Sequence, residues 1–256
     1  MSLRKSLIVA KTDLRMAMKV SYVKYGLIGM AALGPIMVLA IVAFVALNTA
    51  STTEVISMLA ILNPTISPML GIIGLIPTSL IAANALVGER EQNTMEPILC
   101  TPLTDSELLA GKVLSSVIPG ISLLLGTIAV TEIGAIVILQ SAGLPFGFNI
   151  MIPDLPGLFL LLTAGPTMIL AISSVMILIS GRVRRVYEAY QVSGAAVMIF
   201  IVPMILPLLV MQSGVPSANL VWLTNIVTFL VAGLLMVVSW LLAIGRFNRD
   251  RLVSLV

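Results

Sequence analysis

The sequence predicts an all-α integral membrane protein with six transmembrane helices, preceded by an amphipathic helix. Three observations lead there. Residues of the apolar set AVILMFWYC make up 59% of the chain and charged residues only 10%, where about 25% charged is usual in a soluble domain. Mean hydropathy is +1.15. All fourteen Lys and Arg fall into four clusters: Arg4 to Lys24, Arg90 with Lys112, Arg182 to Arg185, and Arg246 to Arg251. The stretches between them, 25–89, 113–181 and 186–245, carry no Lys or Arg. A spanning helix needs about 20 apolar residues, so each stretch holds a hairpin of two. The apolar runs are continuous, which excludes the alternating strands of a β-barrel.

Residues 1–25 are expected to form a helix lying on the membrane surface. Leu3, Leu7, Ala10, Leu14 and Met18 recur at helical spacing, with Arg4, Lys11, Arg15 and Lys19 on the adjoining arc. Such a helix buries its apolar face while its basic arms reach lipid headgroups. The transmembrane domain, 26–244, is expected to place its spans near 26–47, 66–87, 113–133, 157–180, 192–212 and 221–244. Residues 245–256 form a tail. The positive-inside rule puts the basic clusters and both termini in the cytoplasm. Prolines fall inside the spans at Pro35, Pro68, Pro77, Pro119, Pro166, Pro203 and Pro207, which membrane helices tolerate better than soluble ones.

Composition also limits the chemistry. The chain has no histidine and one cysteine, Cys100. That removes Ser-His-Asp and Cys-His nucleophiles, His/Cys zinc sites and any intramolecular disulfide. No phosphate-binding loop is present, and Lys11, Arg15 and Lys19 break the stretch that a cleavable signal would need. No catalytic residue, cofactor or metal is expected in this chain. Energy for any transport would come from a partner or an ion gradient.

The most informative stretch is Gly88 to Lys112, GEREQNTMEPILCTPLTDSELLAGK, with seven charged residues. Thr94 is placed to cap a short helix whose apolar face is Met95, Ile98 and Leu99, with Pro97 in its first turn and Pro102 as its stop. Thr104 and Glu107 then form a capping box for a helix that continues into the third span.

This run resembles the loop after the second span in permeases of the ABC-2 type transporter family, where a GERE-x-x-T-x-E-x-(I/L)-L-x-(T/S)-P pattern precedes a lysine that opens the next span. The amphipathic start, six spans and inside termini match as well, so the resemblance covers nearly the whole chain. It implies the membrane subunit of an ATP-driven transporter, usually an exporter, in a prokaryotic plasma membrane. Such a subunit pairs with a separate ABC ATPase and with a second permease subunit, the same or different, around an unidentified substrate. By that resemblance Glu89, Arg90, Glu91, Thr94, Glu96, Thr101 and Pro102 would build a coupling helix seated in the ATPase, and the N-terminal helix would be the family's connecting helix. An ion-coupled transporter or channel without an ATPase is the alternative.

Glu132 is the one carboxylate in an otherwise apolar run. It lies roughly 29 Å along a helix counted from Val113 at about 1.5 Å per residue. Two readings stand open: an interfacial carboxylate in outer water, or a contact on the translocation path.

Overall fold

In the computed structural model of the chain the described residues are 3–49, 51–91, 104–143, 151–183, 185–209 and 218–246. They form seven α-helices: α1 (Leu3–Ala17), α2 (Ser21–Asn48), α3 (Thr52–Glu91), α4 (Asp105–Ser141), α5 (Leu155–Ser180), α6 (Val186–Leu209) and α7 (Ala218–Arg246). No strand occurs among the described residues. Helices α2 to α7 are each long and apolar enough to cross a membrane. The chain is an all-α, multi-pass membrane protein.

The order of elements follows the sequence expectation, but two helices outrun their expected spans. Hydropathy marks the length that crosses hydrocarbon, whereas a helix continues as far as its caps allow. The third helix starts at Thr52 rather than near residue 66. The Glu54 N–H donates to Ser51 Oγ at 3.4 Å, and only 49–51 separate α2 from α3. At 40 residues, α3 is about 60 Å long, and Pro64, Pro68 and Pro77 all lie within it. The fourth helix begins at the expected capping box: Glu107 N–H donates to Thr104 Oγ1, and Thr104 N–H to Glu107 Oε2. It then runs past residue 133 to Ser141.

Helices α3 and α5 form the centre. Helix α3 packs against α2, α4, α5 and α6, and α5 against α3, α4, α6 and α7. On the peripheral helices, one stripe faces inward. In α2 that stripe is Val38, Val42 and Val45, while Ile36, Met37, Phe44 and Leu47 point outward. In α7 the buried stripe is Asn225, Thr228, Ala232, Ser239 and Ala243, and Leu223, Leu230, Leu234 and Leu241 are exposed. Small and weakly polar residues face inward and large apolar ones outward, the pattern suited to helices whose surroundings are as apolar as leucine. Phe159 of α5 joins the two helices, with its ring 5.6 Å from Trp222 and 6.2 Å from Phe229 of α7.

Where α3 crosses α4, glycine is required. A Cβ at Gly120 would run into Thr78 Oγ1 and stand 3.2 Å from the Gly74 carbonyl oxygen. Gly74 opposes it, with the Gly120 carbonyl 3.3 Å from its own hypothetical Cβ. Backbones approach this closely only because neither carries a side chain. Gly120→Val should therefore force the crossing apart and cost about 1–3 kcal/mol, read as a lower thermal midpoint in detergent. Gly126→Ala, at a position that meets nothing within 4 Å, should be neutral or gain up to about 1 kcal/mol in helix propensity. Equal behaviour of the two variants would count against a tight crossing.

Candidate functional site

The basic end of the bundle is organised around Lys112. From the capping box, α4 carries a buried face of Glu107, Leu108, Gly111 and Lys112, which puts the lysine inside, where its side chain is fully buried. Its ammonium has three donors and three acceptors in reach. Nζ lies 2.6 Å from Glu89 Oε1 and 2.7 Å from the Ala85 carbonyl oxygen, both on α3, and 3.4 Å from Asp13 Oδ2 on α1. Burying a charge is costly unless opposite charges and hydrogen bonds surround it, and here both do. Burial pushes the Asp13 carboxyl above its ordinary range, and the charge and hydrogen bond of Lys112 work against that rise. A cavity of about 40 Å³ adjoins the cluster, lined by Asp13, Asn84, Glu89 and Ser115 among others.

Gly111, next to the lysine, lets α1 sit close. A Cβ there would fall 2.7 Å from Val9 Cβ and 3.0 Å from the Ser6 carbonyl oxygen. The face of α1 turned to the bundle carries the small buried residues Ser6, Ala10 and Ala17, with Asp13 between them. Arg4, Lys5, Lys11 and Arg15 are exposed, and so are Leu7 and Ile8. The expected face of Leu7, Ala10 and Leu14 is thus divided: Ala10 is buried and Leu7 is not.

The end of α3 is fastened to four other helices. Through Lys112 it joins α4 and, by Asp13, α1. Ser180 at the end of α5 accepts hydrogen bonds from the Leu86 and Val87 N–H groups at 3.0 and 3.1 Å. The Glu91 carboxylate accepts the Val186 N–H at the start of α6, at 2.9 Å. Segment 92–103 therefore departs from one anchored helix end and returns to another, the capped start of α4.

Of the residues expected to couple, Glu89 faces inward on Lys112, while Glu91 is exposed and holds α6. Arg90 lies on α3, with no description of its side chain. Thr94, Glu96, Thr101 and Pro102 lie outside the described residues, as do Cys100 and the expected helix Met95–Leu99. Sequence reasoning missed two members, Lys112 as a buried cation and Asp13 as its partner. The available signals were a lysine already two turns inside a capped helix, and the one acid in a basic helix.

At the opposite end, Glu132 is half-buried, with the backbone of Ile152 beside its carboxylate. Asn63 of α3 donates from Nδ2 to the Met151 carbonyl at 3.2 Å, and Asn225 of α7 to the Pro156 carbonyl at 2.7 Å. Asp154 caps α5 by accepting the Gly157 N–H at 3.0 Å. Burial raises the Asp154 carboxyl above its ordinary range, and that hydrogen bond opposes the rise. Among the described residues no group of three or more His, Cys, Asp or Glu side chains is placed to hold a metal ion.

Comparison with protein-family models gives no match, and comparison with curated proteins gives none either.

Lys112→Ala should leave two carboxylates buried beside the gap and lower stability by about 3–5 kcal/mol, measured by thermal unfolding in detergent. Lys112→Met combined with Asp13→Asn and Glu89→Gln removes all three charges and should recover most of that loss. A Lys112→Ala protein as stable as wild type would show that the cluster holds nothing together.

Proposed function

We propose that this chain is the membrane-spanning subunit of an ATP-driven transporter of the ABC-2 type, working as an exporter. Two such subunits enclose the path, and a separate ABC ATPase hydrolyses ATP. The basic end of the bundle faces the cytoplasm, as the positive-inside rule requires, and the setting is a prokaryotic plasma membrane. The chain itself has no nucleotide-binding motif, so its part is mechanical.

What carries this reading is the setting of segment 92–103. It holds the T-x-E-x-I-L-x-T-P half of the motif, and the GERE half is the end of α3. Its two flanks are fixed into the bundle: the end of α3 by Lys112, Ser180 and Glu91, and the start of α4 by the Thr104–Glu107 box. A push on the segment is therefore delivered to two spanning helices at once, and to α1 through Asp13. Coupling by rigid-body motion needs a linkage of this kind.

Cys100, unique in the chain, tests the proposal. A membrane-impermeant thiol reagent should react with Cys100 in inside-out vesicles and fail in right-side-out ones. Adding a purified partner ABC ATPase should slow labelling, and Glu96→Ala should weaken that protection partially, as the loss of a rim contact does. Labelling from the outside would overturn the orientation. Inside labelling indifferent to the ATPase would overturn the coupling role.

A further inference from the structure

Met151 to Asp154 is a short non-helical segment leading into α5, and side chains of neighbouring helices hold it together with the first turn of α5, Leu155 to Gly157. Asn63 of α3 takes its first carbonyl and Asn225 of α7 the carbonyl of Pro156. The backbone of Ile152 lies beside the carboxylate of Glu132 on α4. Ile152 is fully buried, and Asn63 and Asn225 are themselves 7% and 2% exposed. Ser67, one turn beyond Asn63 on α3, is so close that a Cβ at Gly157 would strike its hydroxyl.

These tethers are half used. Each asparagine donates its one bond from Nδ2, and neither Oδ1 meets a donor among the described residues. Glu132 Oε1 and Ser67 Oγ are in the same position. Four acceptor atoms around one strap thus lack a donor among the described residues, although buried polar atoms are ordinarily matched and each mismatch costs free energy. A segment built only to stay in place would be expected to satisfy its own clamps. Fewer bonds than the side chains offer make a fastening that opens cheaply.

We propose that Met151–Gly157, the non-helical segment Met151–Asp154 with the first turn of α5, is a movable strap closing the end of the bundle opposite segment 92–103, with Asn63 and Asn225 as its release points. The strap spans from α3 to α7, and it touches α4 through Glu132. Lys112 and Glu132 lie on the same helix, 20 positions apart in number, roughly 30 Å along the axis. A tilt of α4 against α3 that pivots on the Lys112 cluster shifts Glu132 relative to Asn63 and loosens the strap between them. The inference rests on the transporter reading for its purpose, as the outer gate of the path, but its geometry is independent of any ATPase.

Hydrogen–deuterium exchange on the full-length chain in nanodiscs, without ATPase, tests it. The amides of Ile152, Asp154 and Leu155 should exchange more slowly than unprotected amides but at least about tenfold faster than those of the α5 interior, as a locally opening unit does. Asn63→Asp and Asn225→Asp, near-isosteric and unable to donate, should each raise strap exchange a further roughly three- to tenfold relative to α5. Using α5 as the internal reference separates strap release from general destabilisation. Strap amides as slow as α5 would mean a fixed cap, and fully unprotected ones no closure; either result overturns the proposal. So would two variants that leave the strap-to-α5 ratio unchanged. None of these outcomes bears on Cys100 protection, so the strap and the transporter reading fail separately.

Discussion

An ammonium without water around it constrains its surroundings more than any apolar contact can. Lys112 demands acceptors on every side, and the chain supplies them from helices separated by long stretches of sequence: Asp13, Ala85 and Glu89. Once those are in place, the positions of α1, α3 and α4 relative to one another are no longer adjustable at that end. The Ser180 and Glu91 bonds then carry the same constraint into α5 and α6. Apolar packing alone would leave these helices free to slide, because dispersion contacts are non-directional and individually weak. The charge converts a stack of greasy cylinders into a base with fixed geometry.

Higher in the bundle the forces are different. There the helices meet through small residues and glycine, as at Gly74 and Gly120, and hydroxyls turn back to their own helices, as Thr78 does to the Gly74 carbonyl. Close backbone approach replaces hydrophobic segregation as the source of affinity between helices, since lipid competes equally for leucine. A firmly pinned base and a more lightly fastened opposite end follow from these two kinds of contact.

The six spans were legible in the sequence because apolar length and the spacing of basic clusters are one-dimensional properties. The Thr104–Glu107 box was legible for the same reason, since its partners are three residues apart. The start of α3 could also have been read from Ser51 and Glu54, which repeat that spacing, had hydropathy not drawn attention further along. What could not be read was which way a charge near a boundary faces. Lys112 counts toward the positive-inside pattern whether it lies in water or in the core, and only the arrival of Asp13 and Glu89 decides. Asn63 and Asn225 were silent for a related reason: each looks like an ordinary polar interruption until the loop it holds is present. Glu89, expected on a docking surface, turns inward, while two positions on Glu91 turns outward, a distinction that a motif written in letters does not contain.

The order in which the ion cluster's members are made has a consequence for assembly. A chain is synthesised from its N-terminus, so Asp13 and Glu89 are both part of the chain before Lys112 is added. Neither can be neutralised in place until α4 exists. The interval covers the insertion of α2 and α3, during which α1 lacks both Lys112 and α4, the helix that most of its buried face packs on. Docking of α1, made before the helices it packs on, therefore belongs among the later events of biogenesis. The lysine that completes it also marks the point at which α1, α3 and α4 become a unit.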